Sequence, residues 1–252
     1  MQWVSPKVHL LIHYLYFANT SHFPGGQFLR AYVERYNTPR VYNLITFGSQ
    51  HMGVSDIGCG LTDFFCQIAR RAIKGVVYSQ YAQEHLVQVC TSSILKLKFC
   101  LSTCVLLQAQ YFRDPNQMDT YLSANHFLPD INNEVPETRN TTYAENLSSL
   151  DNLVLILFSR DKTVVPKESS WFGSEAPLDD MMPPSESQSP LNAQETDIIP
   201  MRLQPLYKHD WIGLRTLDER GAVVLETCEG EHMQLGECWE RIVKQFIGGK
   251  SK

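Results

Sequence analysis

Phe23-Pro24-Gly25-Gly26-Gln27-Phe28-Leu29-Arg30 is the stretch from which the rest of this chain can be read. Two adjacent glycines lead into a helical pattern from Gly26 to about Tyr36. In it Phe28, Leu29, Tyr32 and Val33 recur at helical spacing until Asn37-Thr38-Pro39 stops the helix. Small residues at a helix start let it pack close to a strand, and together they read as the back half of a Gly-x-Ser-x-Gly nucleophile turn. The position that should carry the serine, two residues before Gly25, is Phe23. Pro24 follows it, and proline has no backbone N–H, although the residue after such a nucleophile donates one to the oxyanion. One local stretch therefore lacks both the attacking atom and a transition-state donor.

Outward from this point the chain alternates helix and strand. Val41 to Phe47 is a short apolar run ended by Gly48, as expected of a buried parallel strand, and helix followed by strand is the α/β alternation. A second helical region spans roughly Thr62 to Leu86, with Gly75 as a weak point. Leu153 to Phe158 is the strongest strand and runs out into Ser159-Arg160-Asp161-Lys162-Thr163. A last strand, Ala222 to Thr227, leads into Cys228-Glu229-Gly230-Glu231-His232, and Leu235 to Ile247 closes the pattern as a helix with Trp239, Ile242, Val243 and Phe246 on one face. Ser174 to Gln194, rich in Pro, Ser, Asp and Met, has no periodicity and reads as a surface insertion. Near the start, apolar Val8 to Ala18 reads as buried strand or as unrelated translated sequence; a secretory signal is disfavoured by His9, His13 and the aromatic run Tyr14 to Phe17.

Composition narrows the function classes. With 252 residues, 43% hydrophobic and 19% charged, the chain is long enough for one α/β domain or a large part of one. The formal charge of −5 is mild and the 22 Lys and Arg are scattered, which argues against a nucleic-acid surface. No uncharged apolar stretch reaches the length of a membrane span. The seven cysteines match no zinc spacing, so no metal and no cofactor is expected. Sequons at Asn19, Asn140 and Asn146, the last two close together, lean toward the secretory pathway, where Cys59 and Cys66 could close a small loop worth about 2.5 kcal/mol.

Asp161 stands just beyond one buried strand and His232 just beyond another, 71 positions later. Open α/β sheets place their active sites at those strand ends. Aspartate before histidine is also the chain order of a Ser-Asp-His triad, in which the carboxylate fixes the imidazole tautomer and stabilises its charged form.

Several further motifs occur in order. They are Gly25 to Arg30, Asn43-Leu44-Ile45, Gly48 with Gln50-His51-Met52-Gly53-Val54, Tyr111 with Arg113-Asp114-Pro115, Phe127-Leu128 with Asp130-Ile131-Asn132, Trp171-Phe172-Gly173 and Glu229 to Leu235. Together they resemble the palmitoyl-protein thioesterases of the lysosomal type, in a fungal-like form, over about Gly25 to Ile247. The resemblance implies an α/β-hydrolase that removes long fatty acyl groups from S-acylated protein cysteines by a Ser-His-Asp mechanism, resident in the lysosome, vacuole or secretory pathway. It implies His232 and Asp161 as catalytic residues, Cys59 and Cys66 as a disulfide pair, and Asn140 as a glycosylated position, with Asn146 the neighbouring sequon.

The nucleophile does not carry over. Where the family has Gly-Phe-Ser-Gln-Gly-Gly, this chain has Ser21-His22-Phe23-Pro24-Gly25-Gly26. Ser21 is two residues off register, and Ser49 has Phe47 and His51 where a sharp turn needs glycine, so both read as loop serines. The expectation is therefore an α/β-hydrolase fold that is incomplete, with the first strands and the nucleophile turn missing. Residues 1–24 are a segment foreign to the family, and 25–248 a partial domain with insertions at 89–108 and about 174–194. Both 1–24 and 89–108 are read as translated intron, because the resemblance resumes in register after each; for 89–108 the alternative is a real inserted strand, since Leu95, Leu97 and Phe99 alternate with Lys96 and Lys98. As written, the chain is expected to be inactive; a non-catalytic acyl- or protein-binding relative is the alternative.

Overall fold

Leu153 to Phe158 presents six apolar side chains in succession, which only a strand covered on both faces tolerates. That is its position in the structure, a computed structural model that describes residues 8–11, 25–56, 68, 74–85, 109–177 and 197–246. In chain order the described elements begin with β1 (Val8–Leu11), α1 (Gly25–Arg35), β2 (Val41–Phe47), α2 (Gln80–His85), α3 (Met118–Ala124), α4 (Leu128–Ile131), α5 (Thr141–Ser148) and β3 (Asn152–Phe158). They continue with β4 (Ser174–Glu175), β5 (Ile198–Ile199), α6 (Pro205–Lys208), α7 (Leu214–Glu219), β6 (Val223–Cys228) and α8 (Cys238–Phe246). Four of the strands form one parallel sheet in the order β1-β2-β3-β6. Mixed helix and parallel sheet make this an α/β fold.

Side chains of β3 alternate between two apolar layers. Leu153 and Leu155 join Val33, Leu44, Leu147, Leu150, Ile212 and Leu214 beneath α1, α5 and α7. Val154, Ile156 and Phe158 join Ile45 and Ile242, with Met233, Leu235 and Phe246 packed alongside beneath α8. Leu153 through Ile156 and Phe158 are fully buried, so this strand is the spine of the molecule. Helix α1 lies close on β2 because residue 26 is glycine: a methyl group there would run into the side chain of Ser49.

Most expected elements are found, with differences at their ends. Helix α1 and strands β2 and β3 fall where the periodicity puts them, and β1 lies within the apolar run Val8 to Ala18. Strand β6 starts and ends one residue later than expected, at Val223 and Cys228. Helix α8 begins at Cys238 rather than Leu235, because Gly236 takes a left-handed φ of 49° while Leu235 packs into the sheet-facing layer. Among the described residues of the region Thr62 to Leu86, the helix passes through Gly75 and breaks instead at Val77 and Tyr78, ahead of α2. Ser174 and Glu175 are not loop: they pair antiparallel with Ile199 and Ile198, and buried Ser174 accepts a hydrogen bond from Gln204 Nε2 at 2.9 Å. Residues 1–7, 12–24, 89–108 and 178–194, which carry the segment-boundary expectations, lie outside the described residues in full.

Candidate active site

Parallel strands bring their carboxyl ends to one edge of the sheet, and at that edge the loops after β2, β3 and β6 converge. The loop after β3 carries Asp161, and the loop after β6 carries His232. His232 Nδ1 and Asp161 Oδ2 lie 2.6 Å apart, the Asp161 side chain fully buried and that of His232 14% exposed. The other carboxylate oxygen, Oδ1, accepts from the backbone N–H groups of Thr163 (2.8 Å) and Val164 (3.0 Å). The turn that carries the aspartate thereby aims it. A carboxylate can only accept, so the short contact puts a proton on Nδ1, and in the neutral imidazole the lone pair is then on Nε2, the tautomer a general base requires.

Space for the imidazole is made by its neighbours. Gly48, directly after β2, has φ of 56°; a Cβ there would stand 3.0 Å from His232 Cε1 and 3.1 Å from Phe158 Cδ2. The Phe158 ring meets the imidazole edge-on at 6.0 Å between centroids. The two loops are also tied to each other. Ser159 Oγ donates to Glu229 Oε2 (2.7 Å) and accepts from Gly230 N (3.2 Å), while Arg160 N donates to Gly230 O (2.9 Å).

The nucleophile side of the site is described only in part. Phe23, Pro24 and Ser21 lie outside the described residues, and the chain re-enters at Gly25 as α1 begins. Ser49 is 4% exposed, with its side chain against Gly26. It serves the packing of α1 on β2, in keeping with its reading as a loop serine. Cys59 and Cys66 lie outside the described residues as well. Among the described residues a disulfide, Cys228–Cys238, joins the end of β6 to the start of α8 with His232 between them, and sequence reasoning missed it. Its one signal was the placement of two cysteines ten positions apart around the candidate histidine. Of the sequons, Asn140 is exposed and its Oδ1 accepts from Thr142 N (3.0 Å) to cap α5, whereas Asn146 Nδ2 donates to the backbone oxygen of Glu34 (2.9 Å).

Beside α1 four of the motifs meet in a buried polar network. Arg30 Nη2 donates to Gln27 Oε1 (3.0 Å) and Asn132 Oδ1 (2.8 Å), and its guanidinium lies over the Phe172 ring, 5.2 Å from the centroid. His51 stacks on Phe172 at 4.7 Å, and its Nε2 is 3.0 Å from Thr46 Oγ1. Glu34, 3.6 Å from Arg30, has both carboxylate oxygens without a hydrogen bond; burial pushes its pKa up to about 8 against the opposing pull of Arg30. Burial, and secondarily the Arg30 charge, holds His51 well below the usual histidine range, while burial lowers Arg30. Four motifs distant in sequence thus build one internal support for α1.

Among the described residues, no group of three or more His, Cys, Asp or Glu side chains is gathered to hold a metal. No described helix is long and apolar enough to cross a membrane. Residues 19–232 match the family model described as palmitoyl protein thioesterase. The chain is 37% identical over 214 residues to "Palmitoyl-protein thioesterase 1" of Caenorhabditis elegans, covering 84% of this chain and 59% of the relative. It is 32% identical over 208 residues to "Palmitoyl-protein thioesterase 3" of Dictyostelium discoideum (82% and 58%), and 30% identical over 200 residues to "Lysosomal thioesterase PPT2" of Mus musculus (79% and 54%). It spans rather more than half the length of each of these relatives.

Proposed function

This chain belongs to the palmitoyl protein thioesterase family, and from that premise we propose that Asp161 and His232 are the carboxylate and general base of an α/β-hydrolase acting on long-chain fatty acyl thioesters of protein cysteines. In this reading a serine at the turn before Gly25 attacks the thioester carbonyl. His232 takes its proton and passes it to the departing cysteine sulfur, and water then releases the fatty acid by the same route. Asp161 holds the imidazole and stabilises its charged form. The observation that carries the reading is the 2.6 Å contact between His232 Nδ1 and buried Asp161, with the second carboxylate oxygen bound by two backbone N–H groups. Lysosomal, vacuolar or secretory residence follows from relatives named lysosomal and from the sequons.

In this chain Phe23 stands where the serine belongs, so the protein as written is inactive and retains the acid–base half of the machinery. The test is a chimera in which the nematode relative, through the end of its nucleophile turn, is joined to Gly25 of this chain. It should hydrolyse an S-palmitoylated peptide, and His232→Ala or Asp161→Ala should lower turnover by on the order of 10⁴ to 10⁶-fold. Undiminished turnover in a folded His232→Ala chimera would remove the assignment. A folded chimera that binds the peptide without hydrolysing it would favour the non-catalytic acyl-binding alternative, for which Phe23 is the motivating observation.

A further inference from the structure

We propose that the Cys228–Cys238 disulfide and Ser159 are positioning groups that hold His232 within reach of Asp161, an inference that rests on His232 being the base. Cys228 is the last residue of β6 and fully buried, and Cys238 is the first residue of α8, with Cα atoms 5.7 Å apart. The bond closes the segment 229–237 into a ring that contains His232. That segment needs closing. Gly230 and Gly236 have φ of 139° and 49°, which glycine permits, but Met233 has φ of 60°, a left-handed conformation that a non-glycine residue seldom keeps unless the surrounding chain is fixed.

Inside the ring, Glu231 N donates to Gln234 Oε1 (3.1 Å) and Gln234 N donates back to Glu231 O (2.9 Å), so the short stretch around His232 is self-bonded and moves as a unit. Two anchors orient that unit. The disulfide ties it to the β6 terminus and the α8 start. Ser159, through Glu229 Oε2 and Gly230 N, ties it to the loop that carries Asp161. Ser159 N also donates to Cys228 O (3.0 Å), so both anchors meet at the same strand end. A contact of 2.6 Å between two side chains on different loops tolerates little relative motion, and these anchors suppress it.

The test uses the chain as it is and needs no turnover. The Nδ1 proton of a histidine bound this closely to a carboxylate gives a far-downfield proton resonance, and His232→Gln, which should abolish it, assigns it. Dithiothreitol cleaves the disulfide to two thiols and is itself oxidised to a cyclic disulfide; thiol titration shows when this is complete. The resonance should be present in the oxidised protein and lost on reduction and in Cys228→Ser/Cys238→Ser, with the far-UV circular dichroism retained. If reduction also abolishes the circular dichroism, oxidised Ser159→Ala decides: loss of the resonance supports the positioning role, and an unchanged resonance overturns it. Persistence of the resonance after complete reduction with the fold retained overturns it too. Absence of the resonance from the oxidised wild type would mean instead that the Asp161–His232 pair is not formed, which removes the base assignment and this inference with it.

Discussion

Two sequons lie six positions apart, and one side-chain amide separates them. Asn140 uses only its oxygen, to cap α5, and its exposed amide nitrogen can carry a sugar while the cap remains. Asn146 uses its nitrogen, donating to the Glu34 carbonyl between α5 and α1, and the next residue, Leu147, is fully buried. A glycan there leaves the amide one N–H and must share the nitrogen that bonds α5 to α1, so losing that hydrogen bond would cost about 1 kcal/mol. The sequence admits both sites; side-chain geometry favours the first. In protein secreted from a eukaryotic host, peptide mapping should find the glycan at Asn140 and unmodified Asn146 in the folded fraction. Stoichiometric modification of Asn146 in monomeric, cooperatively melting protein would contradict this.

Between β6 and α8 the cross-link matters for stability as well as for the histidine. Closing a loop of this length withdraws conformational entropy from the unfolded chain worth about 3 kcal/mol, so Cys228→Ser/Cys238→Ser should lower the unfolding free energy by roughly that amount in a urea titration run without reductant. An unchanged midpoint and slope would mean that the bond adds nothing. This element also marks how far the sequence could be read. Strands β2 and β3 were legible because apolar runs ended by Gly48 and Ser159, unbroken from Leu153 to Phe158 and interrupted only by Asn43 and Thr46 in β2, leave few alternatives, and α1 because its apolar residues keep a helical period. The start of α8 was not, since Leu235 fits the helix pattern but is taken up in packing the loop on the sheet. Asp161 and His232 were singled out by their order after two strands together with the family resemblance, and the structure brings their side chains to 2.6 Å. The pairing of Cys228 with Cys238 was not, because it depends on a distance between element ends that no spacing rule supplies, and the strand pairing of Ser174 depends on a partner, Ile199, beyond a polar segment.

At the scale of the molecule, two buried groups in the support of α1 set opposite pH responses. Glu34, at about 8 against an ordinary 4.5, binds a proton in the folded state that the unfolded chain lacks from pH 4.5 to 8; its contribution is present at the acid side and lost as pH rises toward 8. His51, held well below 6.5, stays neutral when folded, so its contribution is present above 6.5 and lost as pH falls below it. Just below 6.5 the two oppose each other, whereas from 6.5 to 8 Glu34 acts alone, so stability should change little immediately below 6.5 and fall from 6.5 toward 8. Glu34→Gln should abolish the decline above 6.5 and start the acid decline at 6.5; a Glu34→Gln profile parallel to wild type would exclude this origin. In the proposed reading Phe23 stands at the nucleophile position while this support and the Asp161–His232 contact are in place. That combination is most directly examined by incubating the oxidised chain with an S-palmitoylated peptide at pH 5 to 7 and following both released thiol and the intact protein mass. The expected result is no release above the uncatalysed rate and no palmitoyl adduct. An acyl-enzyme trapped on any serine, Ser21 and Ser49 included, with thiol release abolished by His232→Ala, would contradict it.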